Sequence, residues 1–321
     1  MKELTLELIT QAGDFLEGHI RRTPVEYSPK LSEAVSAPVW LKLEHQQVTG
    51  SFKLRGAMFR LSRLTQDERK AGVATCSAGN HGKAVAYAAR EMAIKPTIYV
   101  PSSVDETKFQ GMVDLGAEVI RSQMPGYDDT EAWALKEIEA SGKVFISAFD
   151  DHAIMAANGG TLAKEVLAQV PDASTFILPV GGGGMSAGFA FYAKQKLPNC
   201  SFIGCQHELS PALKLSLERG KAVTRLPAIE TFAQGVEGGI GGRPFAVLGP
   251  RVDNVALVSE DEICTAFRWV LAQHQYLIEP TAAVPIAACL AGKIGKLAAP
   301  AVIVLSGRNV CIETVEKLLG E

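Results

Sequence analysis

Phe176-Ile177-Leu178-Pro179-Val180-Gly181-Gly182-Gly183-Gly184 is an apolar run stopped by four glycines. The run reads as a strand buried on both faces. The glycines between it and the next helical stretch leave successive backbone N–H groups free to converge on a phosphate, and the helix N-terminus adds a favourable field. Alone, the same pattern also suits a flexible turn. Neither G-x-x-x-x-G-K-[ST] nor G-x-G-x-x-G occurs, so no nucleotide-binding pattern accompanies it.

Working outward, short β-branched or apolar runs recur at Val39–Leu43, Val73–Cys76, Thr97–Val100, Glu118–Arg121, Val144–Ser147, Phe202–Cys205 and Ala301–Leu305. Helical stretches lie between them: Ala84–Ala93 is alanine-rich, and Leu162, Val166, Leu167 and Val170 keep one apolar face. Strand and helix therefore alternate as in an α/β protein with largely parallel sheets. The chain of 321 residues is long enough for two three-layer α/β domains. With no repeat or long linker, the boundaries fall in ordinary loops near Ala71 and Phe149. We expect a large domain from 1–71 with 148–321, which binds the cofactor, and a small substrate-binding domain from 72–147. Ser77, Gly181 and Ser306 each follow a predicted strand directly, which places three turns at strand carboxyl ends, where such sheets bind ligands.

Composition narrows the partners. The 32 basic and 35 acidic residues are well mixed and leave a net charge of −3, so no basic stripe invites a nucleic acid or an anionic membrane. A small-molecule partner is expected. Six scattered cysteines without a C-x-x-C pair read as buried thiols in a reducing compartment. The N-terminal stretch is amphipathic rather than secretory, and the nearly apolar Ala282–Ala291 is too short to cross a bilayer, so a cytoplasmic location is expected.

A second stretch supplies chemistry. Gly50-Ser51-Phe52-Lys53-Leu54-Arg55-Gly56-Ala57 carries a lysine at a helix start. A partly desolvated lysine forms a Schiff base with an aldehyde, and a phosphate-bearing aldehyde would join both stretches in one site. The ordinary reading of Lys53 is a solvated helix residue. Ser77-Ala78-Gly79-Asn80-His81-Gly82 follows a strand and opens a helix, where N–H groups, a hydroxyl and an amide can hold a carboxylate or simply cap. Gly235–Gly242, with five glycines, reads as a loop over which a flat ligand or another backbone passes closely.

Those motifs, with Met185, Glu279-Pro280-Thr281-Ala282 and Ser306-Gly307, occur in an order that resembles the threonine/serine dehydratase and serine racemase branch of the tryptophan-synthase-β-like, fold type II pyridoxal-phosphate enzymes. The resemblance covers nearly the whole chain and stops where longer biosynthetic dehydratases continue into a regulatory domain, so feedback through such a domain is not expected. It implies pyridoxal 5'-phosphate joined to Lys53, with Phe52 and Gly235 on either side of its ring. It implies Asn80 at the phenolic oxygen, Gly181, Gly182, Gly183, Gly184 and Met185 at the phosphate, Ser306 at the ring nitrogen and Glu279 at the cofactor. Ser77, Asn80 and His81 would grip the substrate carboxylate. The implied reaction is elimination of water from a β-hydroxy-α-amino acid to give a 2-oxo acid and ammonia, carried out by a homodimer.

Departures from that pattern matter. Racemases of the branch carry a second serine where this chain has Ala78, which holds no proton, so a one-base reaction at Lys53 is favoured over racemisation. Gln206 and Ala212 stand where a cation site expects two carboxylates, and no metal is expected. Asn158-Gly159-Gly160-Thr161 replaces the usual Gly-Gln-Gly-Thr. The loop at Gly235 is closer to the hydroxyectoine-utilisation dehydratases. Arg308 either offers a second cation to a substrate such as 3-hydroxyaspartate or is a surface residue.

Overall fold

The computed structural model describes residues 3–124 and 126–320. Among the described residues there are ten strands: β1 (Val25–Tyr27), β2 (Val39–Lys42), β3 (Val73–Cys76), β4 (Pro96–Val100), β5 (Glu118–Arg121), β6 (Val144–Phe145), β7 (Thr175–Pro179), β8 (Ser201–His207), β9 (Asn254–Val258) and β10 (Ala301–Val304). They form two sheets. The larger runs β1-β2-β10-β7-β8-β9, and the smaller β5-β4-β3-β6. Every pairing is parallel except β1 with β2.

The apolar runs are continuous because both faces of each sheet are covered. On β7, Phe176 and Leu178 pack with Phe189 and Phe202 on one face, while Ile177 joins Leu41, Ile203 and Ile303 on the other. Helices complete a three-layer arrangement. Pro280–Leu290 is buried almost all round, since it runs through the core rather than over it.

The expected strands are present, with two additions and shifted ends. β1 and β9, the outer strands of the large sheet, escape the sequence reading: β1 has no buried residue and β9 is buried only at Ala256 and Val258. Val144–Ser147 pairs as a strand only through Phe145. The chain then turns at Ser147, whose Oγ accepts from the N–H groups of Phe149 and Asp150.

Candidate active site

The turn before Lys53 is tied to the turn after β10. Ser51 and Gly307 form an antiparallel bridge, Phe52 N–H donates to Ser306 O at 3.1 Å, and Arg308 N–H donates to Gly50 O at 2.9 Å. Lys53 opens the helix Lys53–Ser62. Its Nζ donates to the Ala148 carbonyl at 2.9 Å and stands 5.3 Å from the Phe52 ring centre. Burial lowers its pKa from the usual 10.5 to about 8, against the opposing pull of Glu279.

The helix is fixed from behind. Fully buried Arg55 bonds Glu44 at 2.8 Å through Nε and Nη2, and reaches Glu165 at 2.7 and 2.9 Å. Lys42 joins the same network through Glu165. Gly56 N–H, a first-turn donor without a helical partner, is taken by Asn158 Oδ1 at 2.7 Å.

Each glycine of the Gly181–Gly184 turn has its own reason. A Cβ on Gly181 would stand 2.1 Å from Gly235 O, and one on Gly182 2.3 Å from the Phe149 ring. Gly183 has φ +87°, and a Cβ on Gly184 would approach the Phe149 backbone at 2.9 Å. The turn thus lies bare against Gly235 and Phe149 and opens the helix Gly184–Lys196, with Met185 buried in its first turn. Phe149 follows Ala148, which holds Lys53, so the lysine and the glycine turn share one support.

Asn80 opens the helix Asn80–Glu91. Its Nδ2 donates to both Glu279 oxygens, at 2.9 and 2.7 Å, and its Oδ1 accepts from Asn309, which also bonds Lys83 and Thr49 O. Glu279 in turn donates its N–H to Gly307 O, and burial raises its carboxyl pKa despite the Asn80 bond and nearby lysines. A Cβ on Gly307 would strike Glu279 Oε1 at 2.6 Å, which explains the glycine after Ser306.

Lys53, Phe52, Asn80, Glu279, Gly235, Ser306 and the glycine turn are therefore linked through direct contacts or through Ala148–Phe149, Gly307 and the Ser51 bridge. The His81 side chain lies apart from this group. Its imidazole points into the core, with Nε2 3.0 Å from Ile146 O, and burial followed by the Lys53 charge lowers its pKa to about 3. Only its backbone N–H belongs to the helix N-terminus, where Ser77 Oγ accepts from Gly79 N–H. Arg308 is exposed, and Ala78 packs beside Ile98 and Met112.

Sequence reading missed several supports: Ala148 and Phe149, Asn158, Asn309, and Thr281, whose Oγ1 accepts from Gly235 N–H at 2.9 Å. Asn158 and Thr281 lay inside quoted motifs, but their bonds join segments far apart in the chain. Asn158-Gly159-Gly160 turns out to serve helix packing, since Cβ atoms on the glycines would strike Met185 O at 2.0 Å and the Ile9 side chain at 2.5 Å.

Residues 16–307 match the family model described as pyridoxal-phosphate dependent enzyme. The chain belongs to this family. It is 35% identical over 313 residues to an L-threonine ammonia-lyase of Geobacter sulfurreducens, covering 97% of this chain and 77% of that protein. It is 31% identical over 320 residues to the catabolic L-threonine dehydratase of Escherichia coli, covering 99% and 96%. The solved structure of maize serine racemase superposes with a TM-score of 0.92 at 28% identity, covering 99% and 98%.

The family's cofactor fits the residues present. Ser306 Oγ is buried without a partner, which suits a ligand nitrogen, and the bare glycine turn at a helix N-terminus suits a phosphate. The desolvated amine of Lys53 suits the aldehyde.

Proposed function

We propose that this chain eliminates water from a β-hydroxy-α-amino acid of the threonine or serine type, releasing a 2-oxo acid and ammonia. The observation that carries the reading is Lys53: an amine lowered to about 8, held by Ala148 O and linked through the Ser51 bridge to the unpartnered hydroxyl of Ser306. Bound pyridoxal phosphate would supply an aldehyde for amines and a ring that draws electron density from the substrate α-carbon.

The chain's own residues do the rest. Lys53 Nζ is the single base and takes the α-proton, since a pKa near the working pH lets the amine both accept and return it. Gly181–Gly184 and Met185 would hold the cofactor's phosphate through backbone N–H groups. Phe52 and Gly235 would bound the two faces of its ring. Ser306 would offer a neutral hydroxyl to the ring nitrogen and impose no charge there, which favours prompt loss of the leaving group. The free N–H groups of Asn80, His81 and Gly82 with the Ser77 hydroxyl bind the substrate carboxylate. Asn80, oriented by Glu279, would bond the cofactor's phenolic oxygen.

Ala78 separates this reading from racemisation. Its methyl sits in an apolar cluster and holds no proton for a second base. The exposed position of Arg308 gives no support to a second carboxylate in the pocket. Two domains divided near 71 and 148, a homodimer and a cytoplasmic location belong to the same proposal. Among the described residues no helix is long and apolar enough to cross a membrane.

The test incubates the holoenzyme with L- and D-threonine, L- and D-serine and 3-hydroxyaspartate, and measures oxo acid, ammonia and the enantiomers of remaining substrate. Equal release of oxo acid and ammonia is expected. Enantiomer exchange without ammonia would overturn the reading.

A further inference from the structure

Gln206 is fully buried near the end of β8, and both ends of its side-chain amide are used. Nε2 donates to Val180 O at 3.1 Å, while Oε1 accepts from Leu213 N–H at 2.9 Å and Lys214 N–H at 3.2 Å. Val180 is the residue immediately before Gly181. Its N–H already bonds Cys205 O at 2.9 Å, so the Gln206 side chain continues the β7–β8 ladder one step past the end of β7. Leu213 and Lys214 lie in the first turn of the helix Ala212–Arg219, whose N-cap position is Pro211 and carries no side-chain cap. Gln206 supplies that cap from a distance.

We infer that Gln206 is the positioning residue of the glycine turn. By holding both backbone groups of Val180 in place with Cys205, it fixes the direction in which Gly181–Gly184 leave the sheet. Ser210, in the same connection, accepts from Gly238 N–H at 2.9 Å, so the connection also reaches the second glycine-rich segment. The inference rests on the reading that the glycine turn holds phosphate.

The donor is what distinguishes an amide from a carboxylate here. Glutamate at this position would keep an acceptor for Leu213 and Lys214 but would turn its other oxygen, also an acceptor, against the Val180 carbonyl. Two oxygens facing each other without water are held together only by a proton or a cation between them. In the wild type the amide N–H fills that role, so the turn is set without a metal ion.

The experiment measures equilibrium binding of pyridoxal phosphate and of pyridoxal, which lacks the phosphate, to apoprotein of wild type, Q206E and Q206M at pH 8 with chelator. The readouts are visible absorbance and tryptophan fluorescence. Both variants are expected to bind pyridoxal phosphate about tenfold or more weakly, as loss of a buried hydrogen bond implies, with pyridoxal affinity unchanged. For Q206E the loss should shrink on lowering the pH or adding calcium, and for Q206M it should not. A folded variant that keeps the wild-type preference for the phosphorylated ligand overturns the assignment. A Q206E loss indifferent to both pH and calcium overturns the electrostatic account of the clamp. Should wild type bind both ligands equally, the phosphate reading of the glycine turn fails instead. If Q206E does not fold, Q206M alone decides whether Gln206 positions the turn.

Discussion

Lys53 and Arg55 stand two residues apart on one helix, both cationic by type, and the fold treats their charges in opposite ways. Arg55 is surrounded: burial pulls its pKa down, but the charges and hydrogen bonds of Glu44 and Glu165 hold it above the usual value. Lys53 is desolvated and left with one carbonyl, so its pKa falls. The difference lies in partners rather than depth. A buried cation with two carboxylates is a fixed strut, whereas one with a neutral acceptor can give up its proton at neutral pH.

The largest test removes each charge in turn. Lys53→Ala should lose the yellow cofactor absorbance and lower turnover by roughly four orders of magnitude or more; retained turnover would unseat Lys53. Lys53→Met should gain stability in the apoprotein at pH 7. The sign follows from the lowered pKa: the folded state disfavours the ammonium, a cost complete below about 8 that fades as pH rises to 10.5. Melting curves of wild type and variant should therefore converge at high pH.

Arg55→Met should do the reverse, costing about 3–5 kcal/mol by leaving buried carboxylates unpaired. Chemical denaturation reads this, and a loss below 1 kcal/mol would show the network to be dispensable. A smaller effect comes from Asn158→Ala, which leaves Gly56 N–H unpaired at about 1–3 kcal/mol and should slow cofactor capture through the shared helix. The smallest is a titration shift. The rate at which apoprotein captures pyridoxal phosphate should rise with pH around about 8, because only the neutral amine condenses. Glu279→Gln should move that midpoint lower, since the Glu279 charge favours the Lys53 ammonium. A midpoint near 10 in the wild type would show the amine to be solvated.

How much of this was legible in the sequence depends on the range of each interaction. Strands such as Val73–Cys76 and the glycine turn after Val180 declare themselves because burial on both faces, or close approach of other chain segments at every position, constrains each residue of a short segment. β1 and β9, more open to solvent at the edges, carry a weaker pattern. Within the candidate site, Lys53, Ser306 and Asn80 stand out by their motifs, and the structure brings their segments together. Which way His81 faces is not legible there, because the carbonyl it meets, that of Ile146, lies 65 positions away and has no side-chain signature. Asn158 looked like a departure near the pocket and instead caps the Lys53 helix.

One feature of the large sheet bears on how the protein is made. β10, built from residues 301–304, lies between β2 and β7, so a strand that follows every other described strand in the sequence fills the middle of the sheet. Until it arrives, β2 and β7 have no shared neighbour, and the turns carrying Lys53 and Gly181 have the Ala148–Phe149 support but no common sheet to align them. Ser306 and the Gly307 bridge come later still. The nascent chain therefore carries Lys53 long before the segments that surround it in the fold have been made.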